Sequence, residues 1–358
     1  SPQTLHDVYL PPFKAGLDAG ACTVMSAFED LNGVPATGNR YLLTEVLRHQ
    51  FGFKGFVVSD AGAVHELIPH GYADGEKDAA LKGFSAGCDM LMSGDLYNDN
   101  LPALLEEGKI TLEMVDASVL SILTMKYMVG LMDEPLVDED GEDCFFCEEH
   151  MRAAYEAGVA CPVLLENNGI LPLSADVGTV ALVGPLATED EHSRGHVLGS
   201  WGCLADSRMT VTIPAALRRA LGDGVTLLNA KGCPMKGEGD PTLLAEAVEA
   251  AGKADVVVAV VGECSDDAGE AASHADLHLQ ACQRELIEAL LATGKPVVLL
   301  VSSGRPMVLT EFKDRVAALM MAWQLGSSWG DCIADLLTGK VSPSGHLTTT
   351  LPVSEGQL

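Results

Sequence analysis

At 358 residues and 47% hydrophobic composition, the chain is long enough for two domains and apolar enough to fill a core in each. Its formal net charge of −29 sets up a field that repels phosphate backbones and anionic membrane surfaces, which argues against nucleic acid and lipid and in favour of neutral small molecules as partners. No run of 18 or more apolar residues occurs, and no basic stretch followed by an apolar one opens the chain, so neither a membrane span nor a signal peptide is read.

In chain order, Pro11 to Ala19 reads as a helix stopped at Gly20, followed by an apolar strand from Cys22 to Phe28. The polar loop EDLNGVPATG leads into an amphipathic helix from Tyr41 to Gln50. GFVVSDAGAVHEL, Gly55 to Leu67, has the near-continuous apolar run of a strand buried on both faces, halted at Ser59-Asp60 and turned out by Ala61-Gly62-Ala63. A helix around Lys77 to Ala86, a strand from Cys88 to Met92, and helices near Leu101 to Glu107 and Leu112 to Met128 complete a βα rhythm of three units, placed at 1–132. Residues 133–160 are expected to form an acidic linker and crossing segment, because Asp133 to Glu149 is dense in carboxylates without periodicity.

A second alternating set fills 161–358. Strands are expected at Val163 to Glu166, Thr179 to Gly184, Val225 to Leu228, Ala254 to Gly262, Pro296 to Ser302 and Val316 to Ala322. Helices are expected at Ile213 to Leu221, Leu243 to Ala251, Gln280 to Leu291 and Asp331 to Leu337, which makes an open doubly wound α/β domain.

A carboxylate at the carboxyl end of a buried parallel strand sits where α/β enzymes place their chemistry, and Asp60 has that position; capping a following helix is the competing reading. The long loop after the strongest strand, GECSDDAGEAASHADLHL, offers Glu263, Asp266, Asp267, Glu270 and Asp276. One of them working with Asp60 would suit glycoside hydrolysis, with one carboxyl as nucleophile and the other as proton donor; solvation of a surface loop is the alternative. Nucleotide binding lacks its glycine code: Gly184-Pro185 and Gly304-Arg305-Pro306 read as strand-end turns. Ser59 and Ser303 lack the turn of a nucleophilic serine. His192 and His196 are four apart without a helix to present them, and Trp201, Trp323 and Trp329 could stack on a sugar or pack in the core. Ten cysteines without framework spacing, including the single pair Cys144 and Cys147, read as buried free thiols of a reducing, cytoplasmic compartment.

Six stretches, YLPPFKAGLDAG, VMSAFEDLNGVPATGNRYLL, GFKGFVVSDAGAVHEL, VLLENNGILPL, GEAASHADLHL and SGRPMVLT, run in the order seen in the glycoside hydrolase family 3 β-glucosidases, which the chain resembles along nearly its whole length. The resemblance implies Asp60 as the nucleophile that forms a glycosyl-enzyme intermediate and Glu270 as general acid/base. It also places sugar contacts at Met25, Ser200, Trp201 and His274 and calls for no metal or organic cofactor. The implied fold is α/β: the last three units of a (β/α)8 TIM-type barrel followed by a doubly wound α/β sandwich domain. The expected substrate is a small-molecule β-glucoside or oligosaccharide, hydrolysed with retention, which needs carboxyls about 5 Å apart.

Family barrels carry further units upstream, so the stretch is a fragment, is completed by a separate chain or a second copy, or has lost them. In the last case the alternative is a catalytically impaired carbohydrate-binding or partner-binding remnant. Departures from the family pattern are Ala61 for tryptophan, Glu166 for lysine, His274 and His346 for arginine and Glu29 for asparagine; the lost basic residues raise the negative potential of an acidic cleft.

Overall fold

In a computed structural model of the protein the described residues are 1–137, 139–174, 176–202 and 205–357. Asp138 of the acidic stretch and Cys203 lie outside them, as does the side chain of His192. The chain divides into two compact units, Ser1–Glu139 and Asp140–Leu358.

The first unit opens with consecutive helical turns that end in the helix Leu10–Asp18, closed by Gly20 at φ +102°. Strands Thr23–Ser26 and Phe56–Ser59 then pair in parallel, with Thr23 opposite Phe56 and Ser26 opposite Ser59. Gly55 lets the second strand start against the first, since a Cβ there would fall 1.9 Å from the Cys22 carbonyl oxygen. The intervening helix, Tyr41–Gln50, is wound wide in π geometry and buries Leu43, Val46 and Leu47. Leu43 and Leu47 pack with Val57, Val64, Leu67, Phe84 and Leu104 into one core that also takes the helices Glu76–Ala86 and Leu96–Glu106.

Two strand expectations are corrected here. The Phe56–Ser59 strand is not buried on both faces: Val57 and Ser59 are buried while Phe56 and Val58 are only half-buried within this unit. No strand forms over Cys88 to Met92. A single parallel bridge joins Val58 to Met90; beside it the Asp89 carboxylate, in place of a backbone carbonyl, accepts the Val57 amide at 2.7 Å and also the Arg48 guanidinium. Arg48 also donates to the carbonyls of Gly55 at 3.2 Å and Gly87 at 3.4 Å, so one ion pair ties the wide helix to both flanks of the strand that carries Asp60.

The second unit is built on a six-stranded sheet in the order Val163–Asn167, Ala318–Met321, Val297–Ser302, Val256–Gly262, Thr179–Val183, Thr226–Ala230. All neighbours are parallel except the edge pair of Val163–Asn167 with Ala318–Met321. Alternation along the central strands splits the core in two. Val256, Val258 and Val260 face the helices Ile213–Leu221 and Trp329–Thr338, while Val257, Ala259 and Val261 face Pro241–Lys253 and Ala281–Ala292. Both faces are covered, as a doubly wound sheet requires. The end of the expected crossing segment is a helix, Glu148–Ala160, which joins this unit: Tyr155 donates to the Asp335 carboxylate, and Gly158 admits Cys332, whose sulfur a Cβ at 158 would meet at 2.6 Å.

Among the nine described cysteines, five are buried free thiols, as expected, but Cys22, Cys144 and Cys161 are exposed. Burial pushes the Cys88 thiol up to about 11.

Candidate active site

Asp60 closes the Phe56–Ser59 strand, and the residue before it anchors the turn. Ser59 is fully buried; its amide donates to the Met90 carbonyl at 2.8 Å, and its hydroxyl donates to the Asp60 carbonyl at 2.8 Å and accepts the Met92 amide at 3.2 Å. Among the described residues, the half-buried Asp60 carboxylate accepts only the neighbouring Ala61 amide, at 2.7 Å. The chain then continues as a run of turns and a single 3-10 turn, His65–Leu67, so Asp60 caps no α-helix. Met25 lies on the adjacent strand opposite Val58 and is 51% exposed. Beside the Asp60 turn a cavity of about 270 Å³ is lined by Gly62, His65, Glu76, Ser93, Asp95 and Asp99.

In the second unit the loop after Val256–Gly262 sorts its five acids by their partners. Glu263 is 8% exposed, with Oε1 2.6 Å from Arg305 Nε and Oε2 accepting the Ser303 hydroxyl at 3.1 Å. Burial raises the pKa of Glu263, and the Arg305 charge opposes that rise. Asp267 faces Lys236 Nζ at 3.4 Å and His274 Nε2 at 4.0 Å. Asp276 accepts from His278, whose backbone and ring bonds hold the carboxyl below the usual range. Asp266 and Glu270 have no ion pair among the described residues, and Glu270 is exposed.

The turn carrying Glu270 is tightly set. Gly269 has φ +104° and Ala271 φ +57°, and a Cβ at 269 would fall 2.7 Å from Ser200 Oγ and 3.6 Å from Trp201 Nε1. The structure therefore brings Ser200, Trp201 and the Glu270 turn together, with Trp201 68% exposed. His274 stands at the other end of the same loop, engaged with Asp267. Trp329 is buried in one face of the sheet's core and Trp323 packs against the other, so among the three tryptophans only Trp201 offers an open indole face.

Arg305 is the residue that sequence reading missed. It sits in Gly304-Arg305-Pro306, read as a plain strand-end turn, yet its guanidinium reaches Glu263 and the carbonyls of Asp267 and Ala272. The available signals were a cation shortly past a buried strand end and its place in the stretch SGRPMVLT.

His196 is buried, with its Nδ1 accepting the Ser265 amide at 3.2 Å, which occupies it within the fold. Among the described residues, one set of metal-ligating types gathers within 4.8 Å: Asp276, His278 and Glu355, with the His278 ring already paired to both carboxylates. A cavity of about 850 Å³ in this unit lies among the helices Glu148–Ala160, Ile213–Leu221 and Trp329–Thr338 and contains none of the expected site residues.

Comparison with known proteins matches residues 1–125 to the glycosyl hydrolase family 3 N terminal domain and residues 162–358 to the glycosyl hydrolase family 3 C-terminal domain. The chain is 40% identical to a periplasmic beta-glucosidase of Salmonella typhimurium over 100% of this chain and 50% of that protein. It is 35% identical to a beta-xylosidase of Formosa agariphila over 100% of this chain and 51% of that protein. Among solved structures it is similar to the beta-glucosidase from Listeria innocua in complex with glucose, with a TM-score of 0.88, 35% identity, and 100% of this chain and 48% of that one covered. The chain thus spans about half the length of the relatives it matches.

Proposed function

The chain belongs to glycosyl hydrolase family 3, and from that premise we propose that it carries the two catalytic carboxyls of a retaining β-glycosidase acting on terminal β-glucosyl residues. The observation that carries the reading is the sorting of the acids. Asp60 stands at a strand end with its carboxylate bonded, among the described residues, to the next amide alone; Glu263, Asp267 and Asp276 are tied to basic groups, and of the two exposed acids left without an ion pair, Asp266 and Glu270, it is Glu270 that the tight Gly269 turn sets beside Ser200 and Trp201.

In the first step Asp60 attacks the anomeric carbon while Glu270 gives its proton to the departing glycosidic oxygen. In the second, Glu270 takes a proton from water, the water oxygen bonds to the anomeric carbon, and the Asp60 carboxylate leaves. Two inversions restore the starting configuration. Trp201 supplies an apolar face for the sugar ring and Ser200 a hydroxyl beside it, with His274 and Met25 as further contacts. Glucose is favoured over xylose by the periplasmic beta-glucosidase relative and by the glucose complex of the similar structure.

The test is hydrolysis of p-nitrophenyl β-glucoside and β-xyloside by the intact protein and its Asp60→Ala variant. The expected result is faster glucoside cleavage, lost by a factor of about 10³ or more in the variant. Equal rates in variant and wild type would remove Asp60 from the chemistry, and faster xyloside cleavage would move the substrate class to pentosides.

A further inference from the structure

Resting on the acid/base reading of Glu270, we infer that Arg305 is the positioning residue that holds the Glu270 turn in its reactive placement, through a buried ion pair with Glu263. Arg305 Nη2 donates to the carbonyls of Asp267 and of Ala272, the latter at 2.8 Å. Those two residues bracket Glu270, three before it and two after it, so one guanidinium fixes both ends of the turn. A single planar fork can do this, whereas the point charge of a lysine cannot span two carbonyls and a carboxylate together.

The guanidinium is itself held from below. Its Nε lies 2.6 Å from Glu263 Oε1, at the end of the central strand Val256–Gly262, and Glu263 Oε2 accepts the Ser303 hydroxyl at 3.1 Å. Ser303 is fully buried and also accepts the Arg305 amide at 3.1 Å, which locks the backbone from which the side chain springs. Glu263 is joined to the sheet by its amide on the Ser302 carbonyl at 2.9 Å. The chain of contacts therefore runs from the rigid sheet through Glu263 to Arg305 and on to the turn carrying the acid. These bonds leave the Glu270 carboxyl untouched, so Arg305 acts on the acid by placement.

Misplacing a proton donor by about 1 Å costs up to 100-fold, and only for substrates whose leaving group needs the proton. The experiment compares kcat/KM on an alkyl β-glucoside and on 2,4-dinitrophenyl β-glucoside for the intact wild type and for Arg305→Lys, Glu263→Gln and Glu270→Ala. The expected pattern for Arg305→Lys and Glu263→Gln is a loss of roughly 10-fold to 100-fold on the alkyl glucoside with less than about threefold on the dinitrophenyl glucoside. Their melting temperatures serve as a control for folding. Equal losses on both substrates, or no loss on either, in properly folded variants would overturn the positioning role. The Glu270→Ala arm tests the underlying reading separately: if that variant shows no leaving-group dependence, the acid lies elsewhere, whatever Arg305 does.

Discussion

A methyl group placed on Gly269 probes the finest scale of the site. The position has φ +104°, where side chains are rarely found, and the new Cβ would lie 2.7 Å from Ser200 Oγ and 2.9 Å from its Cβ. Gly269→Ala is therefore expected to push the Glu270 turn away from Ser200 and Trp201 and lower kcat/KM on p-nitrophenyl β-glucoside by at least about tenfold at nearly unchanged melting temperature. Activity within about twofold of wild type would show that the turn tolerates displacement. Residue pattern alone placed Asp60 at the carboxyl end of a strand but left helix capping as an equal reading; its assignment as nucleophile came from the family resemblance. Glu270 was likewise named by the resemblance and not by pattern: five acids share its loop, and only the folded contacts separate Glu263, Asp267 and Asp276, which basic side chains engage, from Asp266 and Glu270. Arg305 stayed hidden for a similar reason, since its partners at Asp267 and Ala272 are main-chain carbonyls that no sequence pattern marks.

Secondary elements were legible in proportion to how purely local their causes are. The helix Ile213–Leu221 has the expected bounds because Pro214 at its start and Gly222 at φ +70° after it punctuate an apolar stripe. The fully buried strand Val256–Gly262 follows from an unbroken valine-rich run that only a sheet covered on both faces can hold. Failures came where tertiary contacts overrode pattern. Cys88 to Met92 is apolar enough for a strand, yet the Asp89 carboxylate bonds back to the Val57 amide and limits pairing to one bridge. Helix Glu148–Ala160 was obscured by acids in its first turn. Its apolar positions Met151, Tyr155 and Val159 recur every fourth residue, and Tyr155 and Val159 pack on the core of the second unit.

Across the whole molecule, the net charge of −29 makes carboxylate titration the main pH response. Hydrogen bonds from basic side chains hold several surface acids below their usual range: His49 acts on Glu45, Lys82 on Asp78, Arg208 on Asp206, Lys253 on Glu249 and Arg315 on Glu288. A depressed folded pKa gives stability that is present above the unfolded value and lost as pH falls through the folded one. Asp89 and Glu263, raised by burial, work the other way and gain as pH falls. The more numerous first group sets the sign, so the melting temperature is expected to drop below about pH 4, and to drop less in Glu288→Gln. A melting temperature that holds steady or climbs down to about pH 3 would show that the buried acids dominate.

The central claim is that Asp60 bonds covalently to the sugar. A 2-deoxy-2-fluoro-β-glucoside with a dinitrophenolate leaving group slows both steps but departs readily in the first, so the glycosyl-enzyme accumulates. Peptide mass spectrometry of the intact protein after this treatment is predicted to find one fluoroglucosyl group, on the peptide containing Asp60. A label on another residue would contradict the account.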